Sequence, residues 1–155
     1  VCAEGRLEIR SPAVGETYWP TPDPNLHAGV FRTSDLAELR DGSVFLRGRV
    51  SEVINIAGRK VSPAAIERAL REHKAVAECL VFGVPAGDPD RGELIVACLQ
   101  TKGPKQAGEL KRFLLERLPA WQMPREWWFV DSLAANHRGK LSRAEWKRRF
   151  LASRL

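Results

Sequence analysis

Val53-Ile54-Asn55-Ile56-Ala57-Gly58-Arg59-Lys60-Val61, running on into Ser62-Pro63, is the stretch that decides the fold. Two short apolar, β-branched runs flank Gly58, which predicts a hairpin turning at that glycine. Ser62 then stands as a helix N-cap, with Pro63 at the first helical position, where its missing N–H costs nothing. Ile66, Ala69 and Leu70 follow at helical spacing and predict one buried face. From Ser51 onward the chain therefore reads as mixed α and β.

The pattern continues downstream. Val76 to Val84 and Leu94 to Leu99 are apolar runs of strand length, joined by the polar turn from Gly87 to Gly92. Leu110, Phe113, Leu114 and Leu118 mark an amphipathic helix stopped by Pro119. Trp127-Trp128-Phe129-Val130 predicts a last strand. Lys140 follows, in Ala135-Asn136-His137-Arg138-Gly139-Lys140-Leu141-Ser142-Arg143. Ser142 and Glu145 have capping-box spacing, and Leu141 and Trp146 sit where a hydrophobic staple closes. The lysine thus leaves a glycine-containing turn two residues before a firmly started helix. The fold class expected is α/β (α+β): a small domain, residues 50–155, with a short β-sheet and flanking helices.

Upstream, residues 6–10 alternate apolar and polar and predict a strand. Ser11 to His27 contains Pro12, Pro20, Pro22 and Pro24 and reads as a loop. Gly29 to Phe31 is expected to return as a strand that sets Asp35 at its end. Leu39 to Leu46 reads as a tight hairpin around Asp41-Gly42. Residues 1–49 hold strands without a core of their own, and are expected to be the tail of a larger domain.

The chain has 155 residues, with 44% hydrophobic and 28% charged, an ordinary globular composition. No apolar run approaches the ~20 residues of a membrane helix. Cys2, Cys79 and Cys98 are an odd number without metal or redox spacing. They read as reduced thiols, which places the protein in the cytoplasm. His27, His73 and His137 have no ligand spacing, so no metal site is expected. Residues 1–100 carry 12 Lys/Arg against 14 Asp/Glu, and residues 101–155 carry 13 against 5. Such a basic end suits a polyanion such as a nucleotide, coenzyme A or nucleic acid. Lys147-Arg148-Arg149, however, reads better as the solvated face of a helix than as a specific nucleic-acid patch.

Four segments in order carry a family resemblance: Gly5-Arg6-Leu7-Glu8-Ile9-Arg10-Ser11-Pro12 with Tyr18-Trp19; Phe31-Arg32-Thr33-Ser34-Asp35-Leu36; Gly48-Arg49-Val50-Ser51-Glu52-Val53-Ile54 running on to Ile66-Glu67; and Gly139-Lys140. Together they resemble the carboxy-terminal third of the adenylate-forming enzymes, closest to acyl- or aryl-CoA ligases. The resemblance implies residues 1–49 as the end of the large nucleotide-binding domain and residues 50–155 as the carboxy-terminal lid. The reaction implied joins a carboxylic acid to AMP from ATP, releases pyrophosphate, and passes the acyl group to CoA. Lys140 is then the catalytic lysine, an ammonium placed where carboxylate and α-phosphate meet. Asp35 is expected to receive the ribose hydroxyls and Arg49 to approach the same ribose. Ser51 is the hinge, and Gly58 lines the tunnel for the pantetheine thiol.

Ser51 departs from the Asp or Lys usual at the hinge, Ser34 from a usual Gly, and Ala65 from a usual Glu. Mg²⁺, the phosphate loop and the acid pocket are expected in an amino-terminal part not contained in residues 1–155. Two alternatives stand beside this reading: an adenylation domain that loads a carrier protein, and a basic binding or interaction module. Ser153-Arg154-Leu155 resembles a variant of the peroxisomal address.

Overall fold

The structure, a computed structural model, describes residues 5–87, 92–104, 106–135 and 141–154. The chain divides into two compact units, Val1–Ser51 and Glu52–Leu155.

In the first unit, β1 (Arg6–Arg10), β2 (Leu26–His27), β3 (Val30–Arg40) and β4 (Ser43–Arg49) form one antiparallel sheet. The long β3 is its organiser, with β1 on one side and β2 and β4 on the other. Asp41 (φ 48) and Gly42 (φ 74) make the two-residue turn between β3 and β4, as their sequence predicts. One expectation is corrected here: Asp35 lies in the middle of β3, not at the end of a short strand. Asp disfavours strands, but pairing on both sides extends the ladder through it. Leu26 and Ala37 are the buried hydrophobics described in this unit, whereas Trp19, Leu39, Val44, Phe45 and Leu46 stand exposed.

In the second unit, β5 (Ile54–Ile56) and β6 (Arg59–Val61) form the hairpin, and α1 (Pro63–Arg71) follows directly. Then come β7 (Val76–Pro85), β8 (Glu93–Thr101), α2 (Ala107–Leu115), β9 (Glu126–Phe129) and α3 (Arg143–Ala152). β7 pairs antiparallel and β9 parallel with the central β8.

Because β7 and β8 are apolar on successive residues, both faces of this sheet are buried. Cys79, Val81, Ile95, Ala97 and Leu99 pack with Ile54, Val61, Ile66, Leu70, Leu110 and Leu114 on one face. Leu80, Phe82, Val96 and Cys98 pack with Trp146 and Phe150 of α3 on the other. Trp128 meets Trp146 edge-on at 5.6 Å and Phe150 at 5.5 Å. The helix expected to run to Pro119 stops at Leu115, and Leu118 N still donates to Leu114 O at 2.8 Å.

Candidate functional site

Asp35 and Arg49 are directly opposed across β3 and β4, and Arg49 Nε donates to Asp35 Oδ1 at 3.0 Å. The buried Thr33 hydroxyl accepts from Asp35 N at 3.0 Å, and the register slips between Leu36 and Ala37. Both devices fix the backbone beneath the carboxylate. The side chains are 28% and 56% exposed. An ion pair this wet contributes only about 0–1 kcal/mol, so either partner can be exchanged for a ligand at small cost.

Ser51 sits in a single 3-10 turn, Val50–Glu52, at the boundary of the two units. Gly58 has φ +80 and follows Ala57 at φ 47, a turn that favours glycine. A Cβ built on Gly58 would meet nothing within 4 Å, so the outer surface of the turn is open. The neighbouring Arg59 guanidinium lies 5.3 Å from the Trp121 ring centroid. On the inner side the hairpin is docked on β8. Asn55 N donates to the Glu93 carboxylate at 2.9 Å, Ile56 bridges to Gly92, and Lys147 of α3 reaches the same carboxylate at 3.5 Å. Gly83 makes room, since a Cβ there would fall 2.7 Å from Glu93 Oε1.

Lys140 lies outside the described residues. The helix it precedes is described. Ser142 takes the extended N-cap conformation, its hydroxyl accepts from Glu145 N at 3.4 Å, and Leu141 packs against the Trp146 cluster. The Glu145 carboxylate pairs with Arg149.

Sequence reading did not anticipate a buried polar node beside this start. Glu67 is only 4% exposed. One of its oxygens accepts from Val81 N at 2.8 Å, and both accept from Arg143 Nη2 at 2.8 Å. Arg143 Nε donates to Val81 O at 3.2 Å, and Nη1 donates to Glu52. The outer edge of β7 thus finds partners for both peptide groups of Val81 in one ion pair. Two signals were available. Glu67 shares a helical face with Pro63 and Leu70, and Arg143 places a cation at a helix N-terminus, where the dipole opposes it.

Burial pushes the Cys79 and Cys98 thiols up to about 12, so neither is a nucleophile at neutral pH. Much of the basic end is internally paired: Arg117 with Glu72 and Glu116, Lys147 with Glu93, Arg149 with Glu145, and Arg154 with Glu126. Among the described residues no group of three His, Cys, Asp or Glu side chains is placed to hold a metal ion. No helix among them is long and apolar enough to cross a membrane.

Residues 65–140 match the model of the AMP-binding enzyme C-terminal domain, a stretch that ends on Lys140. A fatty acid–[acyl-carrier-protein] ligase of Streptomyces coeruleorubidus is 34% identical over 154 residues, covering 96% of this chain and 29% of that protein. A 2-succinylbenzoate–CoA ligase of Bacillus velezensis is 35% identical over 143 residues, covering 90% of this chain and 29% of the relative. The structure of o-succinylbenzoate CoA synthetase from Bacillus subtilis, solved with its acyl-adenylate intermediate, superposes with a TM-score of 0.82. It is 29% identical, over 92% of this chain and 30% of that one. This chain therefore spans less than a third of the length of each.

Proposed function

We propose that this chain, which belongs with the carboxy-terminal portion of the adenylate-forming superfamily, is the lid and adjoining strands of an ATP-dependent acid–thiol ligase. The observation that carries the reading is joint likeness, in sequence and fold, to a CoA synthetase holding an acyl-adenylate. The carboxylic acid, ATP and CoA are its substrates, and the remainder of the enzyme is its partner.

In the first half-reaction a carboxylate attacks the α-phosphate and pyrophosphate leaves. Two anions must meet, so a positive charge has to stand between them. Lys140 supplies it, on a stem long enough to serve both groups. Asp35 gives up its contact with Arg49 and accepts from the ribose hydroxyls. Arg49, freed on the same strand pair, turns toward the ribose. In the second half-reaction the second unit pivots at Ser51 and presents the open face of the Gly58 turn, along which the thiol arm passes. Mg²⁺ is assigned to the part of the enzyme outside residues 1–155.

A carrier-protein thiol in place of CoA is the second reading, favoured by the 34% identity to an acyl-carrier-protein ligase. Assaying the full-length enzyme with CoA and with a holo carrier protein separates the two.

The test of the first role is Lys140→Ala in the full-length enzyme. Acid-dependent pyrophosphate release is expected to fall roughly 10²-fold or more, the scale of losing one transition-state charge partner. Thioester formation from a supplied acyl-adenylate is expected to survive. Equal loss in both half-reactions would make Lys140 structural.

A further inference from the structure

We infer that Arg143 is a positioning residue for adenylation: it locks the start of α3, the helix that follows Lys140 in the chain, to Glu52, the residue immediately after the hinge. The inference rests on the functional reading given above for Lys140 and Ser51. Its structural content does not, because it uses contacts among described residues only.

Arg143 is the first residue of α3 and stands three residues after Lys140 in the chain. Its guanidinium has three separate jobs. Nε holds the Val81 carbonyl at 3.2 Å, Nη2 holds both oxygens of the buried Glu67, and Nη1 holds Glu52. Those partners come from β7, from α1 and from the 3-10 turn that closes on the hinge. One side chain thus ties three elements to α3.

A cation at a helix N-terminus faces an unfavourable dipole, so helix stability alone does not call for one here. A leucine would cover the sheet edge but leave Val81 O and Glu67 unpaired. What a rigid five-donor fork adds is directional: it fixes the first turn of α3 in rotation as well as position. The side chains of Arg143 and Glu52 are only 23% and 28% exposed, so the pair is shielded far better than an ordinary surface contact.

The consequence concerns one half-reaction. Lys140 must reach two anions at once, so an error of about 1 Å in the segment that carries it costs on the order of 10²-fold. The Gly58 hairpin is held by another group, Glu93, whose bond from Asn55 N does not involve Arg143.

The experiment compares Arg143→Lys, Glu52→Gln and the double variant in the full-length enzyme, with Lys140→Ala beside them. Arg143→Lys keeps the charge next to Glu67 but cannot make all three contacts. Glu52→Gln leaves the Arg143–Glu67 node intact and guards against a folding failure of the first variant. Adenylation kcat is expected to fall roughly tenfold to a hundredfold in Arg143→Lys and less in Glu52→Gln. KM for ATP and thioester formation from supplied acyl-adenylate should stay near the parent values. The double variant should lose little beyond Arg143→Lys, because the two substitutions break one contact.

Equal losses in both half-reactions overturn the inference and make Arg143 merely structural. Unchanged adenylation in both single variants, with Lys140→Ala crippled, overturns it while leaving the functional reading standing. An active Lys140→Ala enzyme removes the functional reading itself, and the inference with it.

Discussion

Gly58→Leu separates a functional glycine from a turn glycine, and the structure sets the size of each effect. Gly58 has φ +80, in the left-handed region, so any L side chain there strains the backbone by about 1–2 kcal/mol. A Cβ at that position meets nothing within 4 Å, so no clash inside the chain adds to that cost. A domain of ordinary stability, ~5–15 kcal/mol, remains folded after such a loss. Its melting midpoint should drop by roughly 4–8 °C per kcal/mol. The same openness means that a leucine side chain projects outward, where the thiol arm is proposed to pass. Pyrophosphate exchange by the full-length variant should therefore stay near the parent rate, whereas CoA thioester production falls by about tenfold or more. Gly58→Asn is the control, because Asn tolerates positive φ better than other side chains and is shorter than Leu. It should recover most of the lost melting temperature and part of the thioesterification. A Gly58→Leu enzyme that loses both half-reactions in step with its stability would refute the reasoning, and so would one that makes thioester at the parent rate.

Gly83→Ala should destabilise the protein by about 1–3 kcal/mol, the cost of overpacking, because its new methyl lies 2.8 Å from Ile54 Cγ2 and 2.7 Å from Glu93 Oε1. Denaturant unfolding measures the loss, and an unaltered midpoint would mean that the Glu93 anchor gives way freely. In a Cys2→Ser background a thiol reagent should leave Cys79 and Cys98 unmodified in the native protein and label both after unfolding, since burial pushes their thiols from 9.0 to about 12. The sign follows: neutral thiols favour the folded state fully below pH ~9, and that contribution is lost as pH rises from 9 toward 12. Chemical denaturation at pH 8 and pH 11 tests it.

Periodicity made the second unit's elements readable. Apolar runs gave β7, β8 and β9, and Ser62-Pro63 and Ser142 through Glu145 marked two helix starts that the structure places at Pro63 and Arg143. The length of β3 was not readable, because it is set by partners far off in sequence that propensity does not see. The Asp35–Arg49 contact was hidden for the same reason: it needs the register of β3 on β4, including its slip at Leu36. Glu67 entered only as part of the resemblance, with no structural role, because its partner lies far along the chain. Glu67 is buried only because Arg143 arrives to pair with it.

These hidden groups share a physical purpose. The lid proposed above, presenting different faces in turn, is useful only if each face keeps its shape while the proposed hinge bends. The three-stranded sheet supplies the stiffness, with a packed core on both sides. Ile54 and Val61 seat the base of the hairpin in the core, but apolar packing alone does not set the direction of the exposed pieces that would do chemistry. Each is tied to the sheet by a carboxylate instead: Glu93 binds Asn55 N of the hairpin, and Glu67 with Val81 binds Arg143 of α3. Hydrogen bonds to a charged acceptor are worth about 1.5–3 kcal/mol and have direction, which apolar contact lacks. Lys147 also reaches Glu93, so the two anchors are joined through α3 itself. On the proposed reading the bend falls at the turn around Ser51, and these ties brace the unit that follows it.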